Sequence, residues 1–269
     1  MKEFFMRYVL ILFLLTSSLF SKDISTRYDV HVSLLGNVGY ADVTLRESGD
    51  TYEIKLVANT AGVAAALLKD RVETFTSRGR VVDGRYIPDI FIASKVTTKR
   101  SRVQTYYFDH EKKEINLIEE KTKLVNKTRF DPKTFKIKSE EVSENSVDET
   151  ILDVYKDADV LSAYLNTKTI CNSAEQCYKL VAVGAHDEKN NITVSCLKGL
   201  QREAAIINFS EEIQDIYNLN VEPFDKDDEI VDVLVAFDND GLLKEAYLGE
   251  VFWIGKITAK RVYHKISSN

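Results

Sequence analysis

The strongest constraint on this chain is hydrophobic alternation with a period of two, the pattern of half-buried β-strands. Tyr28, Val30, Val32 and Leu34 share one face of a strand, Gly36-Asn37-Val38-Gly39 turns the chain, and Tyr40 to Leu45 returns beside it. Ser48-Gly49-Asp50 makes the next turn, after which Tyr52, Ile54, Leu56 and Ala58 alternate along a third strand. Further strands are read at V-E-T-F-T-S-R, at V-V-D-G-R-Y-I-P with an Asp83-Gly84 hairpin signal, and at F-I-A-S-K-V-T-T-K. R-V-Q-T-Y-Y-F and E-I-N-L-I-E-E-K follow, joined by the polar residues 109–113. Such a succession is an antiparallel meander.

Two segments break the alternation. N-T-A-G-V-A-A-A-L-L-K-D-R, residues 59–71, reads as a short helix over 61–68 with Thr60 as its cap. Its candidate ligand-contacting residues are Val63, Ala64, Leu67 and Leu68. Against a curled sheet such a helix is either ordinary core or a lid over an apolar cavity, and its alanines favour close packing. Residues 138–157 are acidic and poor in apolar side chains, and read as a solvated linker or loop. Asp159 can then cap a helix carrying Val160, Leu161, Tyr164 and Leu165 on one face. Y-K-L-V-A-V-G-A and N-I-T-V-S-C-L form another hairpin, E-A-A-I-I-N-F adds a strand, and Ser210 opens a capped helical turn. V-D-V-L-V-A-F, L-L-K-E-A-Y-L and V-F-W-I-G-K-I-T-A-K-R-V-Y close the fold. The expectation is mainly β: about a dozen strands in one large curved antiparallel sheet, half-barrel or sandwich-like, with two or three short helices. A twisted sheet that wide must curl or split to hide its apolar face.

At the N-terminus, Lys2 and Arg7 precede the apolar run 8–15, too short to span a bilayer, and small residues follow at 16–21. Residues 1–21 therefore read as a secretory signal peptide, cut after Ser18 or Ser21, and 22–269 as a single β-rich periplasmic domain. No later segment has membrane-spanning length. Without residues 1–21 the chain holds 34 Lys+Arg against 41 Asp+Glu, which makes nucleic acid an unsuitable partner. In an oxidising compartment Cys171 and Cys177 can close a small disulfide loop, with Cys177 to Cys196 as the alternative pairing. Their spacing suits neither zinc nor thioredoxin-like chemistry.

Several stretches together carry a family resemblance: Y-D-V-H-V-S-L-L-G-N-V-G-Y-A at 28–41, T-A-G-V-A-A-A-L-L-K-D-R-V-E at 60–73, D-V-L-S-A-Y-L at 159–165, and A-F-D-N-D-G-L-L through I-G-K-I-T-A. Over nearly the whole mature chain it resembles the exported bacterial family called domain of unknown function 3108. At the middle helix the family pattern has Asp-Pro-Leu-Ser where this chain has Asp159-Val160-Leu161-Ser162. The resemblance implies an envelope protein of antiparallel sheet, similar to the half-barrels of periplasmic lipoprotein carriers, and brings no catalytic residues.

Individual residues add little chemistry. Asp238-Asn239-Asp240-Gly241 superficially suggests a calcium loop, yet aligning its glycine puts Ala236 and Tyr247 at the carboxylate positions, so a hairpin turn is the better reading. His31, His110, His186 and His264 are scattered and read as solvated. Lys95, Lys99, Arg100 and Arg102 invite a phosphate or lipid-headgroup reading, but alternation points to a strand end protected by charge. Glycosylation sequons at Asn126, Asn191 and Asn208 are weak three-residue matches. No metal site, cofactor motif or catalytic signature is present, and the chain is expected not to be an enzyme. The leading expectation is a periplasmic protein binding an apolar or amphipathic envelope component, a lipid or lipidated partner. An interaction module using strand edges and acidic loops is the alternative, and an envelope hydrolase the third.

Overall fold

Alternation becomes strands almost throughout. β1 (Ser21–Val32), β2 (Gly36–Ser48), β3 (Thr51–Thr60), β4 (Val72–Val82), β5 (Arg85–Val96), β6 (Arg100–Asp109), β7 (Glu114–Asp131) and β8 (Lys136–Ile151) form one antiparallel meander. Helix α1 (Gly62–Leu68) joins β3 to β4. Helix α2 (Val160–Ser173) leads into a second meander: β9 (Tyr178–Val181), β10 (Asn191–Cys196), β11 (Ile216–Val221), β12 (Val231–Phe237), β13 (Leu243–Val251) and β14 (Gly255–Ser268). Helix α3 (Gly199–Ile206) separates β10 from β11. The computed structural model describes residues 21–68, 70–133, 135–153, 155–173, 178–184, 191–210, 213, 215–221, 231–239, 241–251 and 255–268. The apolar N-terminal run, His186 and Cys177 lie outside the described residues.

β14 pairs with β1 from Lys22 opposite Ser268 to Val32 opposite Ile257. That contact fuses the two meanders into one open sheet of fourteen strands with β8 and β9 at its edges. The sheet is strongly curled, because α2 touches β4 and β5 as well as β10. β4 and β10 are eight places apart in the strand order. Laid flat they would be roughly 38 Å apart, and a helix about 10 Å across could not reach both. The helix in the concavity is thus α2, which packs Leu161 and Leu165 against Ile24, Leu45, Ile54, Phe91 and Tyr106. A second cluster, Val194, Tyr217, Val235 and Phe237, reaches α2 through the Tyr164–Phe237 ring contact at 5.8 Å.

Polar contacts lock the register of α2. Asp159 Oδ1 accepts from the Leu161 and Ser162 amides at 2.7 and 3.0 Å, and the Asp159 amide donates to Ser162 Oγ, a reciprocal N-cap. Asn166 accepts from the Tyr86 amide at 2.8 Å and donates to the Tyr86 carbonyl at 2.9 Å, so one side chain pairs with β5 as a neighbouring strand would. Gly184 has φ +96, and a Cβ there would lie 2.0 Å from Phe91 Cε1. Only glycine lets the chain after α2 pass over that ring.

Three expectations change. The acidic segment read as a loop near 138–157 is largely strand β8; it lacks alternation because it is an edge strand, exposed on both faces. E-A-A-I-I-N-F begins inside α3 rather than a strand, since a short apolar run rich in alanine does not separate the two periods. Thr60 Oγ1 donates to the Arg71 carbonyl at 3.2 Å instead of capping α1, drawing together the ends of β3 and β4. Ser210 donates through Oγ to Glu245 at 2.8 Å, while residues 211, 212 and 214 of the helical turn read after it lie outside the described residues. The turn at 238–241 behaves as read: Gly241 has φ +78, and Asp238 Oδ1 accepts from the Leu242 amide.

Candidate ligand-binding site

The concave face changes character along β4 to β7, row by row. Deepest, Ser77, Phe91, Tyr106 and Leu117 lie across from one another, with the Phe91 and Tyr106 rings 5.7 Å apart. The next row is Phe75, Ala93, Gln104 and Glu119, and the Phe75 ring stacks on Phe91 at 6.4 Å. Then come Glu73, Lys95, Arg102 and Lys121. Last, Arg100 faces Lys123, which faces Glu144 of β8. Because side chains two apart share a face, all these residues point to the side that holds the core. Over about 20 Å the surface passes from aromatic to cationic.

The charged rows wall a cavity of about 840 Å³ whose lining includes Arg71, Lys95, Arg100, Arg102, Lys121 and Lys123. Carboxylates hold some of these cations in place. Glu73 takes Arg71 and, at 3.3 Å, Lys95; Glu119 takes Arg102 and Lys121. Burial pushes the Glu119 carboxyl up, but hydrogen bonds from Lys121 and Arg102, and their charges, outweigh it and hold the carboxyl below its ordinary range. Among the described residues no carboxylate pairs with Arg100 or Lys123, which oppose each other directly. Like charges in that position are destabilising, and Glu144, across from Lys123 on β8, also lines the cavity.

Lys95, Lys99, Arg100 and Arg102 therefore do more than protect a strand end. Three of them, Lys95, Arg100 and Arg102, line the cavity, and β7 adds Lys121 and Lys123. Sequence reasoning missed the β7 pair because only register brings the strands into line. α1 contacts β2 and β3 at the rim, where Ala64 is half-buried; the side chains of Val63, Leu67 and Leu68 lie outside the described residues. Arg71, just beyond α1, is the nearest residue in sequence to that helix to line the cavity.

Other candidates settle into structural roles. Ser77 Oγ donates to Asp159 Oδ2 at 2.6 Å and contacts the Tyr52 hydroxyl at 2.8 Å. Burial, against hydrogen bonds from Ser77, Ser162 and Leu161, pushes the Asp159 carboxyl up to about 6. Ser77 and Asp159 are both 0% exposed, so substrate has no approach and the chain of bonds fastens α2 to β3 and β4. His110 is not solvated: Nε2 donates to the Pro88 carbonyl at 2.7 Å, so Nδ1 accepts from the Tyr155 hydroxyl at 2.6 Å. His264 lies 4.0 Å from Asp238, which pairs with Arg261. Cys196 is a free, half-buried thiol; Cys171 lies in α2 with its side chain outside the described residues, and Cys177 lies outside them altogether. Among the described residues no cluster of three metal-ligating side chains occurs, and no helix is long and apolar enough to cross a membrane.

Comparison with known proteins gives one family. Residues 27–155 match the family described as protein of unknown function (DUF3108). This stretch belongs to the DUF3108 family. It takes in β1 to β8 and the cavity, whereas the quoted motifs at 159–165 and around 236–259 lie beyond it, so the match is narrower than the resemblance. Comparison with curated proteins finds no match. A solved structure described as a beta-barrel-like protein of domain of unknown function DUF1849 from Brucella abortus is similar at 11% identity and TM-score 0.40. The similarity covers 93% of this chain and 98% of that one.

Proposed function

We propose that this DUF3108 protein binds an anionic amphiphile without transforming it. The head group sits against Arg100 and Lys123, and the apolar portion runs inward past Phe75, Ala93 and Leu56, partly buried residues at the margin of the core. The supporting observation is the aromatic-to-cationic gradient ending in two like-charged residues across from each other. A lipid or lipidated partner of a bacterial envelope has this chemistry, and the apolar N-terminal run supports export to the periplasm as the place where binding occurs. The interaction-module reading would use the β8 edge. That edge carries Glu140, Glu141, Glu144, Asp148 and Glu149, a charge pattern that discourages strand addition. The hydrolase reading has no accessible nucleophile–base pair among the residues described above.

Native mass spectrometry with phosphatidylglycerol and with an uncharged diacylglycerol tests the proposal. The anionic lipid is expected to bind and the uncharged one to bind far more weakly. Lys123→Glu removes one receiving charge, and affinity is expected to fall by about tenfold or more, as for loss of a charge-assisted contact. The same change turns the Arg100 pair into an opposite-charge one but sets a carboxylate across from Glu144, so the two effects on stability offset each other, and unchanged far-ultraviolet circular dichroism shows that lost binding is not unfolding. Equal uptake of both lipids, or of neither, overturns the reading.

A further inference from the structure

The β7–β8 hairpin outruns the sheet that carries it. Pairing between β6 and β7 ends at Arg100 and Lys123, with one more bond from the Leu124 amide to the Lys99 carbonyl. Pairing between β7 and β8 continues from Leu124 opposite Ser143 to Asp131 opposite Lys136. Eight residue pairs therefore stand about 27 Å beyond the rim as a two-stranded ribbon, and among the described residues neither strand has another neighbour there.

The end of this arm is apolar and cationic. Phe130 and Ile137 lie directly across from each other and are 54% and 74% exposed, while Phe135 is 82% exposed and meets Phe130 edge-to-face at 6.1 Å. Phe135 has φ +52, a left-handed conformation that a bulky aromatic seldom takes, and water offers that ring no compensation for it. Residues 127–138 contain Lys127, Arg129, Lys133, Lys136 and Lys138 against Asp131 alone, net +4 in a chain whose total is −6. One face of β7 continues this charge from the cavity wall to the tip, through Lys121, Lys123, Lys127 and Arg129.

We infer that the tip of the β7–β8 arm docks on an anionic lipid surface. Phe130, Phe135 and Ile137 enter the interfacial region, and the surrounding cations meet the head groups. A narrow projection with Phe130 and Ile137 on one face and Lys127 and Arg129 on the other suits a negatively charged bilayer, whose surface attracts Lys and Arg while its interface receives aromatic rings. A ribbon held to the sheet only at its base can also tilt against a surface without disturbing the core.

Cosedimentation of the full chain with vesicles tests this. Vesicles of phosphatidylglycerol mixed with phosphatidylcholine are compared with phosphatidylcholine alone, at low and high salt. Parent and variants share the apolar N-terminal run, so their difference reports the arm. Phe130→Ser/Phe135→Ser is expected to lower partitioning onto the anionic vesicles by about tenfold or more, and salt to weaken the parent's binding. Unchanged circular dichroism shows that the variant is folded. Arg100→Glu, which alters the cavity and leaves the tip intact, is expected to retain vesicle binding, so failure of the cavity reading and failure of this one are told apart. Equal binding to both vesicle types, no loss in the Phe variant, or a concentration-dependent dimer abolished by that variant would each overturn the inference, the last assigning the tip to a second copy of the chain.

Discussion

Replacing Asp159 with Asn separates the two tasks of its carboxylate. Oδ1 caps α2 through the Leu161 and Ser162 amides, and Oδ2 receives the Ser77 hydroxyl. An amide oxygen keeps the cap, and the amide N–H can donate to Ser77 in a reversed bond, so the fold survives while the buried charge disappears. In the native protein burial lifts this carboxyl from 3.8 to about 6. Between those values the folded chain holds a proton that the unfolded chain has released. Asp159 thus contributes its stability in full below about pH 4 and loses it as the pH rises through about 6, the reverse of a salt-bridged carboxylate. The gap is worth about 3 kcal/mol. Urea unfolding followed by far-ultraviolet circular dichroism, at about pH 4 and about pH 7, measures it. Relative to Asp159→Asn, the parent is expected to lose about 3 kcal/mol across that interval. A difference between the two proteins that stays constant with pH would refute the argument, since Asp159 would then not be titrating against the fold.

Two further outcomes concern the docking of α2. Gly184→Ala drives a methyl into the fully buried Phe91 ring from a backbone at φ +96, and unfolding free energy should fall by about 3 kcal/mol or more, read from the urea midpoint. Asn166→Ala leaves both backbone groups of Tyr86 without their side-chain partner, for a loss of about 2–3 kcal/mol in the same assay. In hydrogen exchange, the Tyr86 amide should lose protection before the β1–β2 pairing does. Were Asn166→Ala as stable as the parent, the two bonds to Tyr86 would not be what holds α2 to β5.

Strand identity was legible locally, and so were the start of α2 at Asp159 and the turn at 238–241. Each is decided by residues within a few positions of one another: alternation for a pleated strand, a carboxylate two and three residues before the amides it caps, a Gly where a tight turn needs positive φ. The misreadings fall where that local signal fails. β8 carries charge on both faces because neither is covered, so its sequence resembles a loop; α3 is too short for its apolar residues to show a period.

What the sequence alone determined is therefore the set of extended segments and their polarity, because a strand's alternation records which face is wet. Tertiary structure decided how they assemble. The pairing of β14 with β1, the choice of α2 rather than α1 to fill the concavity, and the alignment of Lys95, Arg102 and Lys121 into one row all depend on partners far apart in the chain. Register sets such contacts, and a slip of one residue would turn every one of these side chains to the opposite face.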